Sequence, residues 1–289
     1  MKLAIIANPK KYEVKNALTQ TLIWAEKNSI PLYLSTDTFR ENNLEAAKYL
    51  HKTESDEISI QQADIVLVMG GDGTILYTAR ISKDHGKPIL GINSGRLGFM
   101  ANTQNEELER ALDYLLTDNF TLDKRAFLKA KDSEGNTYHA LNEFLFTRKA
   151  STSMVNITAE YDGSLINTYW ADGLIIASPT GSTAYNLAAD GPIISPDTDV
   201  FCVTPVNPHT LTTRPLVLNS KRPLKVILEE QENEVLFSFD GQIHEIEKLP
   251  FEVEIVKSEL TFNLIHLPGQ DYFETLRKKL MWGMDSRRV

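Results

Sequence analysis

Three glycines and one aspartate cluster in the first half of the chain, where Gly70–Thr74 reads GGDGT. The segment follows an apolar run and precedes residues of helical character. Glycines there would let backbone amides approach an anion closely, and the helix N-terminus beyond them favours phosphate. Asp72 would repel a phosphate unless it served a metal or accepted a proton. The alternative is a strand-to-helix turn in which Asp72 only caps the helix.

A second glycine-rich segment follows the next apolar run, where Gly91–Phe99 reads GINSGRLGF. Both segments come after predicted buried strands, and ligands of open α/β sheets bind at the carboxyl ends of the strands. Arg96 would offer a positive charge to phosphate at that edge. An ordinary Asn-Ser-Gly turn with a solvated Arg96 explains the same residues. The pattern therefore predicts either a binding loop beside the first one or a plain turn.

A third polar segment, Ser178–Asn186, reads SPTGSTAYN and joins a predicted strand to a short predicted helix. Its hydroxyls and backbone amides are able to hydrogen-bond a ribose or a base, and Tyr185 offers an aromatic surface. A capping Ser or Thr beside a packed tyrosine is the alternative. Upstream, Asn142 and Glu143 interrupt strand-like sequence, so that one of these polar side chains points to each face.

A pair of lysines, Lys10 and Lys11, follows the first predicted strand. They would lie at the sheet edge where bound phosphates need cationic partners, although a solvated lysine pair in a loop is the favoured interpretation. The chain contains neither a Walker phosphate loop nor the G-x-G-x-x-G motif of dinucleotide folds. Any nucleotide binding therefore uses a different device.

Composition and charge exclude several classes of protein. The 289 residues include one cysteine, Cys202, so an internal disulfide is impossible and a cytoplasmic, reducing environment is expected. The six histidines are scattered, and no pair has the spacing of zinc ligands. The net charge of −9 argues against nucleic-acid binding, and no apolar run is long enough to span a membrane.

Apolar residues recur with alternating strand and helix periods over the first half of the chain. Residues 64–69 and 87–93 are apolar on both faces, as in strands buried in a parallel sheet. We therefore predict an α/β N-terminal domain over residues 1–121, with an open, mostly parallel sheet and helices on both faces. The other predicted strands are residues 3–8 and 31–35, and the predicted helices are residues 14–25, 45–51, 74–81 and 108–115.

The pattern changes near Leu122. Residues 122–265 form short alternating segments rich in β-branched and aromatic residues, with turn signals such as Asp240-Gly241. They predict a β-rich C-terminal domain that contains one short helix over residues 182–189. Residues 266–289 turn helical again and are predicted to return to the N-terminal domain. One face of this last helix would carry four apolar residues, Phe273, Leu276, Leu280 and Met281.

Taken together, these segments resemble the NAD kinases. The matching motifs are GGDGT at 70–74, NSGRLGF at 93–99, NE at 142–143, DGLIIASPTGSTAYNLAADGP at 172–192, and the C-terminal segment from Tyr272 to Gly283. GGDG alone is shared with diacylglycerol kinases and phosphofructokinases, whereas its combination with the Thr-Gly-Ser-Thr-Ala-Tyr block is specific. The resemblance extends over nearly the whole chain.

The resemblance implies a kinase that transfers the terminal phosphoryl of ATP, or of polyphosphate in some members, to the 2′-hydroxyl of the adenosine ribose of NAD. It implies a divalent cation, usually magnesium, although the sequence assigns no metal ligand. It also implies a homotetramer or homodimer in which the dinucleotide lies between domains. A neighbouring subunit would help to hold the dinucleotide.

The resemblance further implies roles for residues of the first two segments. Asp72 would be the general base near the 2′-hydroxyl, a function that typically contributes about 10²–10⁴ in rate. Gly71 and Gly73 would line the phosphate site. Phe99 would pack against the adenine-side ribose or ring.

Residues of the β-rich half would bind the dinucleotide. Asn142 and Glu143 would hold ribose hydroxyls, and Asp172 would face the nicotinamide end, from the adjacent subunit in an oligomer. Asp240 matches a less firm position of the family, and a type I′ hairpin turn explains Asp240-Gly241 without any ligand. The contacts to adenine or ribose would come from three consecutive residues, Thr183, Ala184 and Tyr185.

Two other classes of protein are compatible with parts of the sequence. A lipid kinase would share the GGDG motif, but the polar block at 180–186 does not suit acyl chains, and no basic amphipathic helix is evident. A non-catalytic NAD-binding sensor would share the scaffold, but binding alone would not need Asp72 among phosphate-facing glycines. Formation of NADP from NAD and ATP distinguishes the kinase from both.

Overall fold

The computed structural model of the chain consists of two compact units. Unit 1 comprises Met1–Lys124 and the chain from Phe262 onward, and unit 2 comprises Arg125–Thr261. The structure describes residues 1–8, 12–42, 44, 47–93, 95, 97–149, 153–229, 234–246 and 248–282. No helix within these residues is long and apolar enough to cross a membrane.

Unit 1 alternates strands and helices around a parallel sheet. In chain order its elements are β1 (Leu3–Ala7), α1 (Tyr12–Asn28), β2 (Leu32–Ser35), α2 (Thr36–Glu41), β3 (Leu50–Thr53), α3 (Asp56–Gln62), β4 (Ile65–Gly70), α4 (Asp72–Ser82), β5 (Pro88–Asn93), β6 (Thr103–Gln104), α5 (Leu108–Leu116), the end of β18 (Phe251–His266) and α7 (Tyr272–Leu280). The strand order is β3-β2-β1-β4-β5-β18, all parallel, and β6 pairs with β5. This arrangement confirms the predicted α/β fold.

Apolar strands at the centre of this sheet bring the two glycine-rich segments together. Every residue of β1 and β4 is buried, which is typical of strands covered on both faces. β4 and β5 pair in parallel, so that their last residues, Gly70 and Asn93, lie opposite each other. Gly70 and Asn93, which belong to the two glycine-rich segments, therefore lie side by side at the same edge of the sheet.

The predicted helix over residues 45–51 is wrong. Leu50 begins strand β3, which pairs with β2 from Leu32 onward, and the first two residues of the predicted helix lie outside the described part. β3 is short, lies at the sheet edge and exposes its middle residues, so it lacks the apolar alternation that identifies a strand. The neighbouring helices α2 and α3, which the sequence did not predict, begin after Ser35 and Ser55, whose hydroxyls cap them.

Unit 2 consists mainly of antiparallel strands. In chain order its elements are β7 (Thr121–Asp132), β8 (Thr137–Ala140), β9 (Glu143–Arg148), β10 (Val155–Tyr161), β11 (Ser164–Ala171), β12 (Gly173–Ala177), α6 (Tyr185–Ala188), β13 (Val200–Val206), β14 (Leu216–Asn219), β15 (Leu224–Leu228), β16 (Val235–Phe239), β17 (Gln242–Glu245) and most of β18. One sheet has the order β14-β13-β12-β9-β16-β17, a second series pairs β11-β10-β15-β18, and β7 pairs with β8. The predicted β-rich half is confirmed.

Aromatic side chains fix β9 within the core of unit 2. Phe144 and Phe146 on this strand are fully buried, and their rings stack on Phe237 with centroid distances of 5.6 and 4.9 Å. Burial of one such side chain contributes about 1.5–3 kcal/mol. Because side chains alternate along a strand, this packing turns the side chain of Glu143 away from that face.

The C-terminal helix α7 differs in one respect from the prediction. It begins at a capping aspartate, Asp271, whose carboxylate accepts the N–H groups of Phe273 and Glu274. Leu276 is buried, as predicted, but Phe273 and Met281 are 55% and 66% exposed. The predicted face of four packed apolar residues is therefore wrong for these two, because Phe273 is exposed in the first turn and Met281 follows the helix in a left-handed C-cap conformation.

Candidate functional site

Asp72 lies where β4 ends and α4 begins, and a neighbouring loop fixes its carboxylate. Gly71, which has no side chain, is the N-cap residue of α4, and Asp72 is the first residue of the helix. The Oδ2 atom of Asp72 accepts the N–H of Phe99 at 2.9 Å, and Oδ1 accepts those of Met100 and Ala101, each at 3.1 Å. The carboxylate therefore anchors the second glycine-rich segment rather than capping its own helix.

Glycine occupies positions 98 and 73, both near Asp72, for different physical reasons. A Cβ atom at Gly98 would lie 2.2 Å from Asp72 Oδ1 and 3.1 Å from the oxygen of Ala101, so this close approach requires glycine. A Cβ atom at Gly73 would meet no atom of the described residues within 4 Å. Packing within the unit gives no reason for glycine at position 73, whereas an anion close to the start of α4 would give one.

Lys279 is a positively charged residue near Asp72 that the sequence did not predict to be there. Lys279, at the end of α7, places Nζ 3.6 Å from Asp72 Oδ2 and donates a hydrogen bond to the oxygen of Leu97 at 2.9 Å. The ammonium group also lies 5.1 Å from the centre of the Phe99 ring. No spacing rule predicts this contact, because the two residues are far apart in sequence.

A cavity of about 610 Å³ opens beside Gly71 and Gly73. Its volume falls within the range of small-molecule sites. It runs along the strand ends of unit 1, where Ser35 and Thr38 add hydroxyl groups to the wall. Four carboxylate side chains also line it, those of Asp37, Glu41, Glu54 and Asp56. The predicted cationic partners of phosphate, Arg96, Lys10 and Lys11, lie outside the described residues.

The Asp240 carboxylate of unit 2 holds a loop in the same way as Asp72. Asp240 and Gly241 connect β16 to β17 with φ values of 47° and 79°, as a type I′ turn requires. Asp240 Oδ2 accepts the N–H of Leu141 at 2.7 Å, and Oδ1 accepts those of Asn142 and Glu143 at 2.8 and 3.3 Å. Asp240 thus forms the turn and also positions the two polar residues that were predicted to bind ribose.

Glu143 has the most unusual electrostatic environment of this second loop. Burial, followed by the nearby Asp240 carboxylate, raises the pKa of Glu143 from 4.5 to about 8. Its Oε2 atom is buried and has no hydrogen-bond partner within the described residues. At neutral pH the side chain is therefore mostly a neutral acid, which can both donate and accept a hydrogen bond. A hydroxyl group of a bound molecule would satisfy it.

The polar segment after β12 packs against the loop that Asp240 anchors. Ser178 N donates to the oxygen of Asn142 at 2.8 Å, and Ser178 Oγ donates to the oxygen of Leu141 at 2.5 Å. The structure therefore brings together two segments that were singled out separately in the sequence. The predicted adenine or ribose contacts in this segment stay accessible, with Thr183 and Ala184 half-buried and Tyr185 44% exposed.

The helix predicted over residues 182–189 is interrupted. Thr180–Thr183 forms a 3-10 turn, and α6 begins only after Ala184, whose φ and ψ of −96° and −130° are not helical. The Ser182 hydroxyl donates to the oxygen of Pro179 at 2.6 Å, which ties the turn to its own start. Such local bonds of serine compete with a continuous helix.

Asp172 lies far from Glu143 within one chain. β12 starts directly after Asp172 and ends at Ala177, which pairs with Glu143 on β9. At the rise of a β-strand this separates the two residues by about 15 Å. The Asp172 carboxylate accepts hydrogen bonds from Arg148 Nε at 2.7 Å and Asn207 Nδ2 at 3.0 Å. The structure therefore does not bring Asp172 to the loop that Asp240 anchors.

The described residues contain no group of three or more His, Cys, Asp or Glu side chains that could hold a metal ion. Oδ2 of Asp72 accepts one N–H and keeps room to accept another proton, but the ammonium group of Lys279 3.6 Å away disfavours a metal ion there. Magnesium in nucleotide enzymes usually keeps several waters and binds substrate phosphates with one or two carboxylates. The side chains present fit magnesium that arrives with a nucleotide better than a resident ion.

The two units indicate a class of protein. Unit 1 is an α/β unit with a glycine-rich loop at its strand ends, and unit 2 is β-rich and carries a buried acid. This combination is typical of a two-domain nucleotide-binding protein. Comparison with known proteins narrows this class. Residues 3–120 match the family model of the ATP-NAD kinase N-terminal domain, and residues 141–267 match that of the ATP-NAD kinase C-terminal domain. The chain belongs to the NAD kinase family. Of the alternatives from the sequence, the lipid kinase is thereby set aside.

Full-length relatives support this assignment. The NAD kinase of Christiangramia forsetii is 35% identical over 295 residues, which cover 99% of this chain and 100% of that protein. The NAD kinase of Flavobacterium psychrophilum is 33% identical over 294 residues, with the same coverage. The NAD kinase of Cytophaga hutchinsonii is 37% identical over 238 residues, 81% of each chain.

Solved structures share the fold. Yeast NADH kinase complexed with NADH superposes with a TM-score of 0.90 at 22% identity, covering 100% of this chain and 90% of that chain. The NAD kinase from Archaeoglobus fulgidus in complex with ATP gives a TM-score of 0.73 at 23% identity, covering 97% of this chain and 99% of that chain.

Proposed function

We propose that this chain transfers the terminal phosphoryl of ATP to the 2′-hydroxyl of the adenosine ribose of NAD, giving NADP and ADP. Membership of the NAD kinase family supports the reaction. The observation that carries the proposal is the Asp72 carboxylate, which three N–H groups hold at the start of α4, between Gly71 and Gly73.

Asp72 acts in this proposal as the general base. A ribose hydroxyl is a poor nucleophile at neutral pH, and a carboxylate within about 3 Å can accept its proton as the new bond forms. The proton moves from the 2′-hydroxyl to an Asp72 oxygen while the ribose oxygen bonds to the γ-phosphorus. The bond from phosphorus to the bridging oxygen breaks, and its electron pair leaves with ADP. Because phosphoryl transfer has a loose transition state, a fixed carboxylate matters at least as much as a basic one.

The glycine loop receives the donor phosphates in this proposal. Gly71 and Gly73 line the approach to α4, whose N-terminus favours anions, and the space above Gly73 is open. Arg96 remains a proposed phosphate contact of the neighbouring segment. The magnesium that accompanies ATP enters as part of the substrate and neutralises charge on the donor phosphates.

The acidic cavity supports ATP rather than polyphosphate as the donor. Its four carboxylates and its hydroxyl groups can accept the hydroxyl and amino hydrogens of an uncharged nucleoside. A polyphosphate chain is charged along its whole length and would meet these carboxylates without a neutral part to place against them. We therefore expect ATP to be used in clear preference to polyphosphate.

Unit 2 provides the contacts to the dinucleotide in this proposal. Asn142 and the mostly neutral Glu143 bind ribose hydroxyls, and the accessible Thr183–Tyr185 segment binds adenine or ribose. Phe99 of unit 1 packs against the adenine-side ribose or ring. Asp172 serves the nicotinamide end from a neighbouring subunit, which its distance from Glu143 along β9 and β12 supports.

The proposal includes a homotetramer or homodimer, because Asp172 would act across subunits. It also includes a cytoplasmic location, which the single cysteine supports. Cys202 is free and buried, as is typical of proteins that carry no disulfides.

Product analysis tests the proposed reaction. The purified full chain is incubated with NAD, ATP and magnesium, and NADP is measured with an NADP-specific dehydrogenase while ADP is measured separately. We expect equal amounts of NADP and ADP, and far less NADP with polyphosphate as donor. The same assay with NADH as acceptor defines the preference for the redox state of the dinucleotide.

A non-catalytic NAD-binding sensor, the alternative class of protein, would give a different result in the same samples. A sensor would bind NAD in isothermal titration and form no NADP or NADPH with either donor and either acceptor. That outcome would contradict the proposed reaction.

A further inference from the structure

Lys279 touches the Asp72 site in three ways. Its Nζ atom lies 3.6 Å from Asp72 Oδ2, donates to the oxygen of Leu97 at 2.9 Å and lies 5.1 Å from the centre of the Phe99 ring. The two interacting side chains are 31% and 28% exposed, so the pair is partly withdrawn from water. One side chain at the end of α7 thus contacts the carboxylate, the backbone of the anchored loop and the aromatic ring of that loop.

The neighbouring basic residues of α7 make ordinary surface contacts. Lys278 pairs with Glu274 one turn earlier at 2.7 Å, and both side chains are about half exposed. Arg277 lies 3.9 Å from the capping Asp271. Basic residues in the last turn are common because they complement the helix dipole. That general preference explains why Lys278 and Arg277 occur at the end of the helix. It does not explain why the side chain of Lys279 extends toward Asp72.

Lys279 lies beside the Oδ2 atom of the Asp72 carboxylate without forming a hydrogen bond to it. Oδ1 accepts two N–H groups, from Met100 and Ala101, whereas Oδ2 accepts one N–H of the described residues, that of Phe99, and faces the ammonium group. Without the ammonium group, the Oδ2 side of the carboxylate would be held by one hydrogen bond. The bond from Lys279 to Leu97 fixes the same loop on the other side of Gly98.

We propose that Lys279 is a positioning residue for phosphoryl transfer, which fixes the orientation of the Asp72 carboxylate and the Leu97–Ala101 loop from the C-terminal helix. The inference rests on the proposed function, in which that carboxylate accepts the 2′-hydroxyl proton. A displacement of about 1 Å at a reacting group can lower a rate about 10²-fold. Loss of Lys279 therefore affects kcat more than the affinity for NAD, because most of the proposed contacts to NAD, Phe99 excepted, lie in unit 2.

Three full-length variants test this role. Lys279→Met removes the charge and keeps most of the aliphatic chain, Lys279→Arg keeps the charge, and Lys278→Met is the matched control on the same helix. We expect kcat to fall at least about tenfold in Lys279→Met, with KM for NAD within about threefold of wild type. Lys279→Arg should recover most of kcat, and Lys278→Met should match wild type.

Hydrogen–deuterium exchange of the peptide that contains Phe99–Ala101 gives a readout independent of turnover. The three amides that donate to Asp72 should exchange faster in Lys279→Met and at the wild-type rate in Lys278→Met. If the wild type formed no NADP, the proposed function would fail, and the exchange of these amides would still decide whether Lys279 holds the loop.

Three results would overturn the inference. The first is an unchanged kcat in Lys279→Met. The second is an equal loss in Lys278→Met, which would indicate a general effect of charge on the helix. The third is a reduced kcat with unchanged exchange, which would place Lys279 on the substrate rather than on the loop.

Discussion

Two aspartates at distant positions in the sequence anchor loops by the same arrangement of hydrogen bonds. Asp72 accepts the N–H groups of three successive residues, 99–101, and Asp240 accepts those of residues 141–143. Hydrogen bonds to a charged acceptor are stronger than those between neutral groups. Each anchored loop carries residues that we propose to contact the dinucleotide. A single carboxylate in each unit therefore holds the backbone of three successive residues in place.

Replacement of Asp240 by Asn should weaken NAD binding more than it slows turnover. The amide offers one acceptor oxygen instead of two, so at least one buried N–H of residues 141–143 loses its partner, at a cost of about 1–3 kcal/mol. We expect KM for NAD to rise roughly tenfold, since 1.4 kcal/mol corresponds to a factor of ten. Steady-state kinetics with NAD as the varied substrate measure this effect, and kcat should stay within about threefold.

Asp162→Asn is a matched control for this substitution. Asp162 and Gly163 form a hairpin turn with φ values of 52° and 75°, like Asp240 and Gly241, but Asp162 pairs with the exposed Arg222. Its replacement should leave KM for NAD unchanged. Equal effects of both substitutions on KM would show that the turn, and not the anchored loop, matters.

The Glu143 carboxyl should make the free energy of unfolding depend on pH. Its pKa is raised from 4.5 to about 8 in the folded protein, so between these values the folded chain holds a proton that the unfolded chain has released. The contribution to stability is therefore full below about pH 4.5 and is lost as pH rises to about 8. From pH 5.5 to 7.5, wild type should lose roughly 2 kcal/mol more than Glu143→Gln.

Chemical denaturation at several pH values measures this difference. Glu143→Gln keeps the shape of the side chain but does not titrate, so it removes this component alone. Parallel pH profiles for the two proteins would contradict the assigned environment of Glu143.

Candidate site residues can be proposed from the sequence, but the contacts that hold their side chains in place cannot. Asp240 is visible in the sequence as a turn residue, yet its hold on residues 141–143 depends on β16 lying beside β9. Lys279 is one of several basic residues of the last helix, and only the position of α7 in the fold shows that it is the one beside Asp72. Such contacts depend on tertiary packing, which residue spacing along the chain does not encode.

Among the secondary-structure elements, the start of α4 and the loop that follows β5 each contain a glycine near Asp72. Replacement by alanine should have different effects on folding at the two positions. Gly73→Ala should fold as well as wild type or better, because a Cβ atom there meets no described neighbour and alanine favours a helix by up to about 1 kcal/mol. Its kcat or its affinity for ATP should nevertheless fall about tenfold or more, if donor phosphates approach this turn.

Gly98→Ala is the contrasting variant. Its Cβ atom would lie 2.2 Å from Asp72 Oδ1, so we expect a lower melting temperature together with lower activity. Thermal unfolding of both variants shows whether the added Cβ atom disturbs packing, and initial rates show whether it lowers activity. A fully active Gly73→Ala enzyme would argue against phosphate binding at the start of α4.

Elements with a strong apolar pattern are predictable from the sequence, and weakly patterned ones are not. The strands predicted over residues 64–69 and 87–93 match β4 and β5 to within one residue at each end, because both are mostly apolar and buried along almost their whole length. β3 lies at the sheet edge and is largely polar, so its sequence does not reveal a strand. The break at Ala184 depends on hydrogen bonds of single side chains, which periodicity does not detect.

At the scale of the whole molecule, the two units have different tasks in the proposed reaction. Unit 1 carries the glycine loop, the acidic cavity, Asp72 and the C-terminal Lys279. Unit 2 carries Asn142, Glu143 and the accessible polar segment after β12. The match to the Christiangramia forsetii NAD kinase covers 99% of this chain and 100% of that protein, so both units have counterparts in that relative.

If the Asp72 carboxylate accepts the proton of the 2′-hydroxyl, its replacement in Asp72→Asn should lower kcat for phosphoryl transfer to NAD. NADP formation from NAD and magnesium ATP is measured beside the dissociation constant for NAD from isothermal titration. We expect kcat to fall about 10²-fold or more, since a general base typically contributes about 10²–10⁴, while NAD binding stays within about fivefold. Turnover near that of wild type in a folded Asp72→Asn protein would show that Asp72 is not the general base.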